Sequence, residues 1–166
     1  MIRISRLTDY GIVLMTYMAT HPDRVQNAAE VAAGARLPLP TVSKLLRLLA
    51  RQDLLVSHRG AKGGYTLARP AEWITVAEII GALEGPIGLT LCTAETPSAC
   101  EHQSRCAVHG HWQGINRAIR QTLESVTLAE MASPTGPRFL VGGDAGSVES
   151  PTLSASGGAA AKHLAN

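Results

Sequence analysis

Apolar residues recur along this chain at helical spacing, interrupted once by strand-like alternation. In "LTDYGIVLMTYMATH", Leu7, Tyr10, Ile12, Val13, Met15, Met18 and Ala19 share one broad helical face, which predicts a helix over 8–20 with Thr8 or Asp9 as N-cap. "NAAEVAAGA" predicts a short second helix. Asn27 and Glu30 have the spacing of a capping box, Val31 and Ala32 face inward, and the helix ends near Gly34. After "RLPLP", the segment "TVSKLLRLLARQDL" carries Val42, Leu45, Leu46, Leu48 and Leu49 on one side and Ser43, Lys44, Arg47 and Arg51 on the other. Pro40 suits the first turn of this third helix. "LVSHRGAKGGYTLARP" then sets Val56, Tyr65 and Leu67 on either side of a basic, glycine-rich turn, the pattern of a β-hairpin.

Two helices joined by a tight turn and followed by a hairpin are the order of a winged helix-turn-helix. The alanines at 28, 29, 32 and 33 allow close helix crossing. Thr41, Ser43, Lys44 and Arg47 lie outward on the third helix, as a major-groove reader requires. Arg59, Gly60 and Lys62 form the hairpin tip, where small residues let the backbone approach a phosphate or a minor groove. Tyr65 and Leu67 read as packing residues of the wing, and Gly63 and Gly64 as conformational ones. A further helix follows over 75–83, with Thr75 and Glu78 as a second capping box and Ile74, Val76, Ile79, Ile80 and Leu83 buried.

Beyond it, Val108, Trp112, Ile115, Ile119, Leu123, Val126 and Met131 form a stripe that predicts one helix of about 25 residues. So long a helix at the end of a small domain is expected to pack on a second copy, giving a homodimer suited to a two-fold operator. The expected organisation is therefore a DNA-binding domain over 1–85, a cysteine-rich loop over 86–107, a dimerisation helix over 108–132 and a tail over 133–166. The tail is rich in Gly, Ser, Ala and Pro, which predicts disorder, with Phe139–Val141 its one candidate for docking. The fold class is mainly α with a small β-hairpin.

Charge sharpens this picture. Residues 1–70 hold ten Lys and Arg against four acidic residues, whereas residues 71–166 hold five against nine, although the whole chain is only +2. A basic half of this kind points to a polyanion such as duplex DNA. With 45% apolar and 4% aromatic residues, the core is expected to be aliphatic. No apolar run approaches the roughly 20 residues of a membrane span, and the first residues lack the pattern of a signal peptide. A cytoplasmic protein with reduced thiols is the expectation.

All three cysteines fall in "LCTAETPSACEHQSRCAVHGHW", spaced Cys92-x7-Cys100-x5-Cys106, with His109 after two more residues. Three thiolates and an imidazole select an iron–sulfur cluster or zinc over hard cations. The absence of a CxxC knuckle weakens a structural zinc reading, and redox thiols or incidental cysteines also fit the spacing. His102 and His111 are read as exposed. An enzyme, such as a thiol oxidoreductase using Cys100 and Cys106, would want a CxxC pair or an activating triad, and neither is present.

The segments "RLTDYGIVLMTYMA", "AAEVAAGARLPLPTVSKLLRLLARQDLL", "HRGAKGGYTLARP", "ITVAEIIGALEG" and the three-cysteine loop together resemble the Rrf2 family of bacterial transcription regulators, of the IscR/NsrR/RirA type, over residues 1–132. Within it the chain is most similar to regulators of the SUF iron–sulfur assembly system. The resemblance implies a dimeric winged-helix regulator, a repressor that binds promoter DNA and is not an enzyme. It also implies a cluster, [2Fe–2S] rather than [4Fe–4S], held by Cys92, Cys100 and Cys106. It offers two fourth ligands: His109, or Asp9 of the partner subunit. Zinc, thiol-oxidation or nitric oxide sensing through the same cysteines is the alternative. The first cysteine gap is longer than in the commonest family loop, which bears on cluster type. The resemblance places Thr41, Ser43, Lys44 and Arg47 at the major groove and Arg59 with Gly60 at the minor groove. Ser43 replaces a glutamate that helps IscR discriminate promoters.

Overall fold

The structure, a computed structural model, describes residues 3–60, 62–93, 100 and 105–134. Helix α1 spans Arg6–Ala19, α2 Ala28–Ala35 and α3 Leu39–Arg51. Strands β1 (Leu55–His58) and β2 (Gly64–Leu67) follow, then α4 (Val76–Glu84), α5 (His109–Ser125) and α6 (Leu128–Ala132).

Helix α1 starts two residues earlier than the sequence predicts. Ser5 is its N-cap and accepts a hydrogen bond from the Thr8 N–H at 3.2 Å. Thr8 is fully buried and Asp9 is an exposed residue of the first turn, so neither is the cap. Both expected capping boxes are present, Asn27 with Glu30 and Thr75 with Glu78. Pro40 lies in the first turn of α3, where its missing N–H costs no helical bond.

Helix α2 ends near Gly34, as expected. That helix runs to Ala35, and Arg36 takes the left-handed conformation at φ 55°. The glycine also serves packing: a Cβ on residue 34 would collide with the ring of Tyr17. Gly11 plays the same part under Leu83 of α4. These two contacts, more than the alanines alone, let the helices approach.

The core is aliphatic, as expected. Leu14, Met15 and Met18 of α1 meet Val31 of α2, Val42, Leu45, Leu46 and Leu49 of α3, and Ile74 and Ile79 around α4. Strands β1 and β2 pair antiparallel, with Leu55 opposite Leu67 and His58 opposite Gly64. Gln26, between α1 and α2, exchanges two backbone hydrogen bonds with Tyr65 of β2, at 3.0 and 2.8 Å. The wing is thereby stitched to the helix pair. Gln26 is 1% exposed, and neither atom of its side-chain amide has a partner among the described residues.

The single helix expected over 108–132 is two. Helix α5 stops at Ser125, Val126 is extended, and Thr127 caps α6 in a third capping box with Glu130. The break lets the chain return to the winged domain: Val76 donates to Val126 at 2.9 Å and Leu128 to Ile74 at 2.7 Å. The Leu128 side chain is fully buried in the core. The expectations for the tail lie outside the described residues beyond Pro134.

Candidate nucleic-acid interface and thiol site

The amphipathic register of α3 decides which residues can reach a groove. Val42, Leu45, Leu46 and Leu49 point into the core, which turns Ser43, Lys44 and Arg47 to the opposite side and leaves Thr41 at its flank. Lys44 and Arg47 are exposed; Thr41 and Ser43 are half-buried. Arg51, read from the sequence as polar but not as a DNA contact, continues the same exposed row at the spacing 44, 47, 51.

At the wing tip Arg59, Gly60 and Lys62 are all exposed. Gly60 has φ 106°, a conformation that favours glycine, and its carbonyl accepts from the Gly63 N–H at 2.9 Å. Gly63 and Gly64 answer to sterics: a Cβ at either would press on backbone, against His58 and Gln26 respectively. Tyr65 and Leu67 pack on the core as expected.

Local ion pairs remove some of the positive charge elsewhere. Arg24 is paired with Glu30 at 2.9 Å and Arg69 with Glu78 at 2.8 Å. Burial raises the Glu78 pKa, but the hydrogen bond from Arg69 and those from Thr75 outweigh it, so the net shift is downward. Lys44, Arg47, Arg51, Arg59 and Lys62 have no carboxylate partner among the described residues. Five positive charges, unpaired among the described residues, thus lie on the outer face of α3 and at the wing tip, where a phosphate backbone could meet them.

The thiol site lies in the stretch between α4 and α5. Cys92, Cys100 and Cys106 are free and half-buried. Cys92 sits in a tight turn: the Thr90 N–H donates to Thr93 Oγ1 at 3.0 Å, the Thr93 N–H to the Thr90 carbonyl at 3.0 Å, and Thr90 Oγ1 lies 3.2 Å from Cys92 Sγ. Two side chains of α5 hold this turn. Asn116 accepts from the Leu89 N–H at 3.1 Å and donates to the Ile87 carbonyl at 3.2 Å, and Gln113 Nε2 donates to the Cys92 carbonyl at 2.6 Å. Neither residue was singled out from the sequence. Their signal is the polar row His109, Gln113, Asn116 at helical spacing, a quarter turn from the apolar stripe.

His109 opens α5, and its N–H donates to the Cys106 carbonyl at 3.3 Å. Its Nδ1 is buried with no hydrogen-bond partner among the described residues. His111 is exposed, and His102 lies outside the described residues. Three unbridged thiols and an orphaned imidazole nitrogen fit a thiolate-bound metal centre in donor chemistry. Among the described residues, no three His, Cys, Asp or Glu side chains are gathered into one metal-holding cluster. Asp9 stands apart, exposed on the first turn of α1.

On α5 the apolar stripe faces away from the chain's own core. Trp112 is 37% and Ile115 46% exposed, and Ile119 and Leu123 line a shallow groove of about 260 Å³ with Ala118 and Thr122. Among the described residues no helix is long and apolar enough to cross a membrane.

Known proteins share the fold. The chain is 34% identical over 127 residues to a helix-turn-helix transcriptional regulator of Neisseria meningitidis serogroup A, covering 74% of this chain and 84% of that one. The structure of CymR, the global cysteine regulator of B. subtilis, superposes with a TM-score of 0.61 at 30% identity, over 80% of this chain and 97% of CymR. IscR of T. potens gives a TM-score of 0.58 at 28% identity, over 78% and 85%. These relatives are regulators and not enzymes. The Rrf2 family, described as iron-dependent transcriptional regulators, matches residues 4–134. The chain belongs to this family of DNA-binding transcriptional regulators.

Proposed function

We propose that the chain is a homodimeric repressor that senses an iron–sulfur cluster, of the [2Fe–2S] type, and controls genes of iron–sulfur cluster assembly. Cys92, Cys100 and Cys106 are its thiolate ligands and His109 the fourth, with Asp9 of the partner subunit as the alternative. The observation that carries this reading is the buried, unpartnered Nδ1 of His109, three residues past the last of three free thiols. A buried polar atom left without a partner needs an explanation, and beside three free thiols a bound metal centre supplies one. When bound, the cluster supplies a cross-link whose stability depends on oxidants and iron supply.

The chain's own residues carry the signal from there. Cys106 and His109 lie at the start of α5, while Val126 and Leu128, past its end, are hydrogen-bonded to Val76 and Ile74 of the winged domain. Helix α5 is thus a strut between the thiols and the DNA-binding core. Pairing of its exposed Trp112 and Ile115 with a second copy makes the strut set the spacing of two α3 helices. A coupling of about 1–3 kcal/mol between ligation and DNA binding is roughly a 5- to 150-fold change in operator affinity.

The test is anaerobic purification with absorbance, iron and sulfide analysis, followed by gel-shift titration on promoters of iron–sulfur assembly genes. Visible absorbance that disappears in Cys92→Ala, with DNA affinity that changes on iron loss, is the expected result. Colourless, iron-free protein that binds those promoters unchanged after reconstitution overturns it. One observation favours a second reading, a thiol-oxidation sensor without metal: the described ligands are not gathered together. Operator affinity that responds to peroxide in iron-free protein would select that reading.

A further inference from the structure

We propose that Asn116 and Gln113 are positioning residues that make Cys92 the fixed arm of the thiol site by clamping its turn to α5. The inference rests on the ligand reading above for its purpose and on independent contacts for its geometry.

Asn116 is 5% exposed, deeper than any other polar residue of α5, and both ends of its amide are used on one neighbouring segment. Its oxygen takes the Leu89 N–H and its nitrogen gives to the Ile87 carbonyl, 27 and 29 residues away in sequence. A surface asparagine on a helix has no reason to satisfy two backbone groups of a distant loop. One that does so is fixing where that loop lies, because breaking the pair strands buried polar atoms. Gln113, one turn earlier, repeats the contact at the Cys92 carbonyl itself. Within the turn, Thr90 and Thr93 bond each other and bring a hydroxyl to the Cys92 sulfur.

The clamp and the orphaned imidazole occupy one helical row. His109, Gln113 and Asn116 follow at steps of four and three residues, so the helix that presents His109 also holds Cys92. Cys92 is therefore held in place by the protein before any ligand arrives. Through it, any pull on the sulfur is delivered to the strut and not dissipated in a free loop.

The test uses the full chain, reduced and metal-free, alkylated with iodoacetamide while each cysteine peptide is followed by mass spectrometry. Gln113→Ala and Asn116→Ala are expected to raise the Cys92 rate about 3- to 10-fold, as one or two lost hydrogen bonds imply, with Cys106 unchanged. Unchanged Cys92 rates in both variants overturn the proposal, as does an equal rise at every thiol in both. If only Asn116→Ala shows the equal rise, that variant has loosened the fold, and Gln113→Ala decides. After reconstitution with ferrous iron and sulfide, both variants are expected to show altered visible circular dichroism and faster loss of iron to a chelator. Colour that persists in Cys92→Ala would defeat the ligand reading alone and leave the alkylation result standing.

Discussion

The ring of Tyr17 fills the space that a side chain on residue 34 would need, so α1 and α2 cross at van der Waals contact through a glycine. Gly34→Ala must push that ring aside. A destabilisation of about 1–3 kcal/mol is expected, the usual cost of overpacking. Urea unfolding measures it. Combining the change with Tyr17→Leu, which removes the ring, should restore part of the loss; full additivity of the two would refute the contact as its cause.

The wing tip and α3 should separate in their salt dependence. Arg59→Ala is expected to weaken operator binding by about 1–3 kcal/mol if the side chain enters the minor groove. Lys44→Ala should lower affinity across sequences and reduce the salt slope by about one if it meets a phosphate. Gel-shift titrations at several salt concentrations check both, and wild-type binding by Arg59→Ala would remove that residue from the interface.

Glu84 gives stability an acid-sensitive component. The Thr8 hydroxyl and the Ser5 N–H, at 2.8 Å, both bond its carboxylate and hold its pKa below the usual carboxylate value of 4.5. A lowered folded pKa means that the unfolded chain binds the proton more readily. The contribution is therefore complete above the unfolded value and is lost as pH falls through the folded one. Urea midpoints followed from neutral pH into the acid range should decline less steeply in Glu84→Gln than in the wild type. Parallel declines would show that the carboxylate contributes nothing.

His109 separates two ligand sets. Loss of the visible spectrum's native shape in His109→Ala, with Asp9→Ala unaffected, is the expected pattern for reconstituted protein. The reverse pattern would assign the fourth position to Asp9 of the partner subunit.

Leu128, fully buried though it lies past the end of α5, should cost about 2–5 kcal/mol when cut to alanine. Thermal unfolding is the measurement, and a wild-type midpoint would contradict its place in the core.

The DNA-binding half was largely legible because its signals are local. Capping boxes at Asn27 and Thr75, the one-sided leucines of α3 and the glycine-rich hairpin each act within a few residues. The end of α2 near Gly34 was legible, but the packing role of that glycine was not, because the ring it admits comes from another helix. The break at Val126 was also written locally, as Thr127 with Glu130, but an apolar stripe that continues across it hides the change of helix. The clamp on Cys92 left no more trace than the polar row at 109, 113 and 116. Asparagine and glutamine on a helix look like solvent-facing residues unless the segment that they grip, more than twenty residues away, is known to fold back on them.

The stitch between Gln26 and Tyr65 bears on the operator as much as on the protein. Swivelling the hairpin on its helices to follow a duplex of different pitch would break the stitch's two hydrogen bonds. Where the distance between a site's major-groove bases and its minor groove does not suit this rigid template, the DNA must twist or bend to make up the difference. Sequences that deform easily at base pairs no side chain touches should then be bound in preference.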